Sequence, residues 1–348
     1  MPGFLSWISG FFSTSQPTSL APEPRLLNPA QDQSTDDDPE TGPLLARQLE
    51  DHLFCWLLDV APSELDGDLS YAADAIAELQ QRLGDGQLEE LPRQPLSLPM
   101  LMRALSDEST DRQRLTDIIL GDPSLTDQLL QMANSPYFRP GDHAIDSVDQ
   151  AVFLLGLDGI RNVVSAAVMR PMMAARNSRE ALFAQRVWRW GLTCARASEL
   201  TARAQSADSS AHFMAGLLPA LAYITIRREL HRICRARLIR DPDPALIRYS
   251  LVRHQWATSQ LLANEWHLPP QFNALLLGAE RPAPRQAQTP LNDGMILGTR
   301  EVLRHANQRN LAEEHLPKVL KLAPEQIGPV RQSLNTMLQE GGRSTSRV

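Results

Sequence analysis

The side chains able to do chemistry are few and scattered. Eight histidines, His52, His143, His212, His231, His254, His267, His305 and His315, offer imidazole for metal binding or proton transfer. No two stand at H-x-x-x-H spacing and no H-E-x-x-H phrase occurs, so no helix presents a ready-made metal face. His254 and His267 bracket one predicted helix, Leu246 to Trp266, and meet a third group only if another element supplies it. Surface or hydrogen-bonded histidines are the plainer reading. Cys55, Cys194 and Cys234 are odd in number, far apart and without C-x-x-C spacing. A disulfide framework or zinc knuckle is not expected from them, and a reducing, cytoplasmic setting fits. Neither a G-x-S-x-G nucleophile turn nor a G-x-x-x-x-G-K-[ST] phosphate loop is present. Arg227, Arg228, Arg232, Arg235, Arg237 and Arg240 cluster in one stretch. Their chemistry would be anion binding, and the plainer reading is a solvated helix face.

The elements that must carry these groups are helical. The chain has 348 residues, 43% apolar, 22% charged and only 5% aromatic, which suits one large soluble domain with extensions, or two domains. A net charge of −7 gives no global support to non-specific nucleic-acid binding. The longest apolar run, Phe213 to Ile226, is interrupted by Gly216 and Pro219 and reads as too short to span a bilayer. No basic region precedes the apolar N-terminus, so a secretory leader is not expected. Residues 1–43 divide into an apolar dozen, with Phe4, Leu5, Trp7, Ile8, Phe11 and Phe12, and a Pro/Ser/Thr-rich acidic linker. The dozen suits a docking segment, but it lacks the cations of a membrane-adsorbing helix. Residues 44–90 carry two helical stripes, Leu45/Leu49/Leu53/Trp56 and Ala72/Ile76/Leu79/Leu83, expected as a hairpin. Residues 91–290 form the main domain and 291–348 a helical extension. No sustained strand alternation occurs. The expected class is all-α, a multi-helix bundle.

Leu115 to Val164 is the most specific stretch. It reads LTDIILGDPSLTDQLLQMANSPYF, then, after a polar bridge, IDSVDQAVFLLGLDGIRNVV. Asp122-Pro123 is a helix start, and Leu125, Leu129, Met132 and Ala133 form one apolar stripe. Asn134-Ser135-Pro136 stops that helix. Ser147 and Gln150 have capping-box spacing, and Gly156 suits a left-handed helix end. Arg161 lies off the following Ile160/Val163/Val164 stripe, which leaves it to pair with an acid or to serve recognition. In order, spacing and identity this succession resembles the signature of the HDOD domain, an offshoot of the HD superfamily found in bacterial signal-transduction proteins. The resemblance extends over roughly 91–290 and implies an HD-like helical bundle.

It also implies where metal ligands would stand. HD hydrolases hold divalent metals through histidines and aspartates, which lower the pKa of a bound water for attack on phosphorus. The phrase similar to GLLHD is here Gly216-Leu217-Leu218-Pro219-Ala220, so Pro219 and Ala220 replace the His-Asp pair. A Trp-x-His phrase corresponds to Trp188-Arg189-Trp190, with Trp190 at the histidine. The downstream histidine region, after Trp266-His267-Leu268-Pro269, reads Leu276-Leu277-Gly278-Ala279, with Gly278 at its centre. The expectation is a non-enzymatic regulatory protein with no catalytic residue, metal or cofactor. It would act by association with signalling proteins through Asp122, Pro123, Asn134, Ser135, Gly156 and Arg161, and through Phe4, Trp7, Ile8 and Phe11. The alternatives are a metal-dependent HD-type phosphohydrolase and a nucleic-acid-binding regulator using the Arg227–Arg240 stretch.

Overall fold

Capped amphipathic segments become helices throughout, and no strand forms among the described residues. A computed structural model of the chain describes residues 41–95, 98–101, 112–139, 141, 143–281 and 289–344. Its helices are α1 (Thr41–Leu58), α2 (Ala73–Gly84), α3 (Arg112–Leu120), α4 (Pro123–Ala133), α5 (Val148–Met173), α6 (Ser178–Ala204), α7 (Ser209–Ala236), α8 (Pro244–Glu265), α9 (Pro270–Glu280), α10 (Pro290–His305), α11 (Leu316–Val319) and α12 (Pro324–Ser344). The expected all-α bundle is observed. The docking segment with Phe4, Trp7, Ile8 and Phe11 lies outside the described residues.

Helices α4 to α8 start with one device. Asp122, Ser147, Asn177, Asp208 and Asp243 each accept the backbone N–H three residues on, satisfying a donor the helix itself leaves open. Pro123 and Pro244 occupy the first turn, where a missing N–H costs nothing. The Ser147 cap is close to expectation, but Gln150 Oε1 accepts from Asp146 N (2.9 Å), one residue before the cap.

Helix α7 is the central post, packed by α6, α8 and α5. The apolar run Phe213 to Ile226 reads as a nearly all-apolar core helix, with Gly216 and Pro219 interrupting it only as a membrane-span candidate. That core helix is observed, passing through both residues and extending from Ser209 to Ala236. Helices α5 and α7 are each long and apolar enough to cross a membrane, but 89% of the apolar window in α7 is buried inside the fold. Core burial explains the hydropathy of α7, whereas 50% of the α5 window is buried. Helix α10 crosses α6 closely: a Cβ on Gly294 or Gly298 would meet Ser198 Cα at 2.3 Å or Cys194 Cα at 2.5 Å. The two N-terminal helices do not make the expected hairpin their main contact. Helix α1 packs on α6, α10 and α11, and α2 on α7 and α8, so tertiary burial sets their places. Helix α1 also begins at Thr41, inside the stretch expected as linker.

The joint between α4 and α5 depends on Asn134. Its Nδ2 donates to Ile145 O (2.7 Å) and Leu130 O (2.9 Å), while its Oδ1 accepts from Ile145 N (2.8 Å). The side chain imitates a paired strand and clips the connecting loop. Asn134→Ala leaves two main-chain groups of Ile145 without these partners, so a loss of about 1–3 kcal/mol is expected in urea unfolding. An unchanged midpoint would show that water replaces the clip at no cost.

Candidate functional site

The four positions matching HD ligands do not form a metal cradle. Trp190 is fully buried, stacks on Tyr223 with ring centroids 4.8 Å apart, and donates from Nε1 to Thr299 Oγ1 (2.9 Å). Phe54 also stacks on Tyr223, with ring centroids 5.9 Å apart. Thus α1 and α10 both cover the region. Ala220 is fully buried, and a Cβ placed on Gly191 would lie 2.4 Å from its methyl carbon, so α6 and α7 touch there. Gly278 lines a separate recess of about 70 Å³ with His212 and Asn292. Neither proline, alanine, glycine nor an indole N–H donor supplies a ligand lone pair. These residues do not fit the superfamily's metal. Among the described residues, no group of three or more His, Cys, Asp or Glu side chains is arranged to hold a metal ion.

The signature residues assemble a different feature. Asp122 caps α4, Ser135 Oγ donates to Met132 O (2.7 Å), and Asn134 clips the loop, so these polar groups are used locally. Gly156 interrupts α5 with φ 67° and ψ −178°. Positive φ was expected, but this is not the left-handed helical end. It is a conformation open essentially to glycine alone, and it turns the chain before α5 resumes. The turn leaves Phe153, Leu154 and Leu157 exposed, Phe153 at 71%. Arg161 ion-pairs with Asp158 at 3.1 Å, one of the two roles its position allowed.

Beside this apolar knuckle lies a cleft of about 950 Å³. Its walls are the Pro136–Phe138 turn, α5 on both sides of Gly156, the C-terminal half of α6, and Gln332 and Thr336 of α12. Glu199 in one wall is 1% exposed and held by Arg196 and by Arg203 (2.6 Å), so its charge is compensated. Asn162 is different. It lines the cleft, is 1% exposed, and neither its amide oxygen nor its amide nitrogen has a hydrogen-bond partner. A buried amide with a free donor and a free acceptor matches the two polar atoms of a peptide group. Sequence reasoning missed Asn162. The available signal was a polar residue between Ile160 and Val163, next to the apolar stripe.

The fold and these sites define an all-α, HD-like protein built around a close-packed central helix. A family comparison matches residues 91–282, more than half of the chain, to the HDOD domain. The chain belongs to the HDOD domain family. Comparison with curated proteins found no match. Among solved structures it is similar to a candidate metal-dependent phosphohydrolase from Shewanella amazonensis SB2B, with 16% identity, a TM-score of 0.58, and 78% of this chain and 99% of that one covered. It is also similar to an HDOD domain protein of unknown function from Geobacter sulfurreducens (17% identity, TM-score 0.51, 78% and 95% covered). A third similarity is to a candidate signal transduction protein from Marinobacter aquaeolei VT8 (18% identity, TM-score 0.50, 81% and 68% covered). At these identities the likeness is one of fold.

Proposed function

We propose that this HDOD protein is a non-catalytic regulator that works by binding a segment of a signalling protein in the Asn162 cleft. The observation carrying this reading is the unsatisfied amide of Asn162 at the wall of a cleft flanked by exposed leucines. An unpaired buried amide costs about 1–3 kcal/mol, which a partner's main chain recovers on binding. Leu154 and Leu157 supply the apolar contact, and Arg161 with Asp158 the polar rim. Residues Phe4, Trp7, Ile8 and Phe11 serve as a second attachment point on their tether, raising the local concentration of a weak docking segment. No step of hydrolysis is assigned, because Trp190, Pro219, Ala220 and Gly278 offer nothing to activate water.

The test is affinity purification of the full chain from its native cells with quantitative mass spectrometry. Asn162→Ala, and separately Leu154→Ser with Leu157→Ser, are expected to reduce recovery of the principal partner at least ~10-fold, the equivalent of one good buried contact. Arg161→Ala and a Phe4/Trp7/Ile8→Ser variant should each give a smaller loss. Helicity should be unchanged in all four. Wild-type recovery by the cleft variants would remove the cleft from the interaction. Metal-dependent turnover of a phosphodiester by tag-free protein would overturn the non-catalytic reading.

A further inference from the structure

Of the arginine-rich stretch, Arg237 and Arg240 are exposed, whereas the Arg227–Arg235 segment lines a concavity. That segment forms one wall of a recess of about 500 Å³, a volume within the range of small-ligand pockets. Arg227, His231 and Arg235 stand at i, i+4 and i+8 on α7 and so share one face over about 12 Å. The facing wall is the N-terminal end of α6, with Arg176 just before the helix and Arg179 in its first turn.

Ion pairing leaves this recess cationic. Six arginines line it, against the carboxylates Glu90, Glu180 and Asp241. Glu180 is taken by Arg228 (2.6 Å) and the Arg176 N–H (2.9 Å), and Glu90 by the Arg176 side chain. Asp241 stands 3.5 Å from Arg179 and 4.0 Å from His231 Nδ1, but Asp241 and Arg179 are mostly exposed, so their attraction is well screened. Arg232 pairs outward with Glu89 and Glu229. Arg227 and Arg235 form no ion pair among the described residues. Arg227 lies over the Phe183 ring at 4.7 Å, and its Nε and the Nε2 of His231 are buried without hydrogen-bond partners. The desolvated Arg227 guanidinium, with a donor that lacks an acceptor, calls for an anion.

We propose that this recess binds a small polyphosphorylated anion, of the size and charge of a nucleoside polyphosphate. The length of the Arg227–His231–Arg235 face exceeds what one phosphate needs and suits two or three in a row. Concavity, and the acidic Glu90 and Asp241 among its lining residues, disfavour a continuous nucleic-acid backbone. The recess involves the N-terminal end of α6, whereas Arg196, Glu199 and Arg203 of the Asn162 cleft lie in its C-terminal half. An anion site here is therefore separate from the proposed partner cleft and does not depend on it.

The experiment is calorimetric titration of the full chain, at physiological salt and without divalent metal, with sodium tripolyphosphate and with ATP. Orthophosphate and a short DNA duplex serve as comparison ligands. Saturable one-to-one binding of tripolyphosphate or ATP, tighter than orthophosphate, is expected. Arg179→Gln with Arg235→Gln should weaken it at least ~10-fold, and Arg235→Glu by more. Both side chains are exposed, so melting without ligand should not change. Lys318→Gln, a charge change on an exposed residue of α11, should leave binding intact. Absence of heat at millimolar tripolyphosphate and ATP would overturn the proposal. Equal weakening by Lys318→Gln, or binding of the duplex alone, would do the same.

Discussion

Restoring the His-Asp pair with Pro219→His and Ala220→Asp is expected to destabilise the protein by at least ~3 kcal/mol and to recruit no metal. The physical reason is contact between helices. The methyl of Ala220 already presses on Gly191, so a carboxylate there has no volume to occupy without parting α6 from α7. Overpacking of this kind costs about 1–3 kcal/mol, and a buried charge without a partner adds several more. Adding Trp190→His supplies one more imidazole, but it removes the stack with Tyr223 and the bond to Thr299. The measurements are urea unfolding of the double and triple variants, with elemental analysis after loading with manganese or iron. A wild-type unfolding midpoint with one metal per chain would mean that the catalytic geometry survives beneath the substituted side chains. The expected failure would instead make the closed contact, together with the cover from α1 and α10, a barrier to building a metal site by a few substitutions.

What the sequence made legible was local. Asp122, Ser147 and Gly156 act through their own and adjacent backbone, so caps and the break in α5 could be read from spacing alone. Pro219 did not hide the core helix, because the apolar run on both sides of it, Phe213 to Ile226, already reads as one buried helix. Removing one N–H usually weakens a helix, yet α7 continues because almost every side chain from Ala211 to Ile226 is buried against its neighbours. Tertiary packing outweighed the local rule. The basic recess was half visible: the α7 arginines were evident, but Arg176 and Arg179 lie about fifty residues earlier, and only the fold brings them opposite. Asn162 and the exposed Leu154 and Leu157 followed the same logic. Their meaning depends on what the neighbouring helices leave uncovered, which periodicity along one helix does not encode.

Replacing Glu50 by Gln is expected to stabilise the protein at pH 8 and to flatten its pH dependence between about pH 6.5 and 8. Glu50 belongs to α1, is fully buried, and neither carboxylate oxygen has a hydrogen-bond partner. Burial raises its pKa from 4.5 to about 8, opposed in part by Arg248 and reinforced by Asp51. Between those values the folded chain keeps a proton that the unfolded chain has lost, so stability falls as pH rises through this window. A shift of this size corresponds to ~5 kcal/mol at most, most of it lost by pH 8. Asp293, raised by burial to about 7, acts in the same direction over a narrower range. His254, lowered by burial to about 4, acts oppositely: its contribution is lost as pH falls from 6.5, so it offsets the carboxylates only on the acid side. The net decline above pH 6.5 therefore belongs chiefly to Glu50. Urea unfolding at pH 6, 7 and 8 distinguishes the cases, since Glu50→Gln should depart progressively upward from wild type, by a few kcal/mol at pH 8. Parallel curves would show that Glu50 ionises without penalty, through water or Arg248. The site gives this titration a structural consequence. Burial, and then the field of Glu50, raise the Tyr223 hydroxyl, and Tyr223 stacks on both Phe54 of α1 and Trp190 of α6. Ionising Glu50 places a charge on the buried face of α1, which covers the positions matching the HD ligands, so alkaline pH should loosen α1 before the α6–α7 core. Hydrogen exchange at pH 8 should show that order in wild type and a slowed α1 in the Glu50→Gln variant.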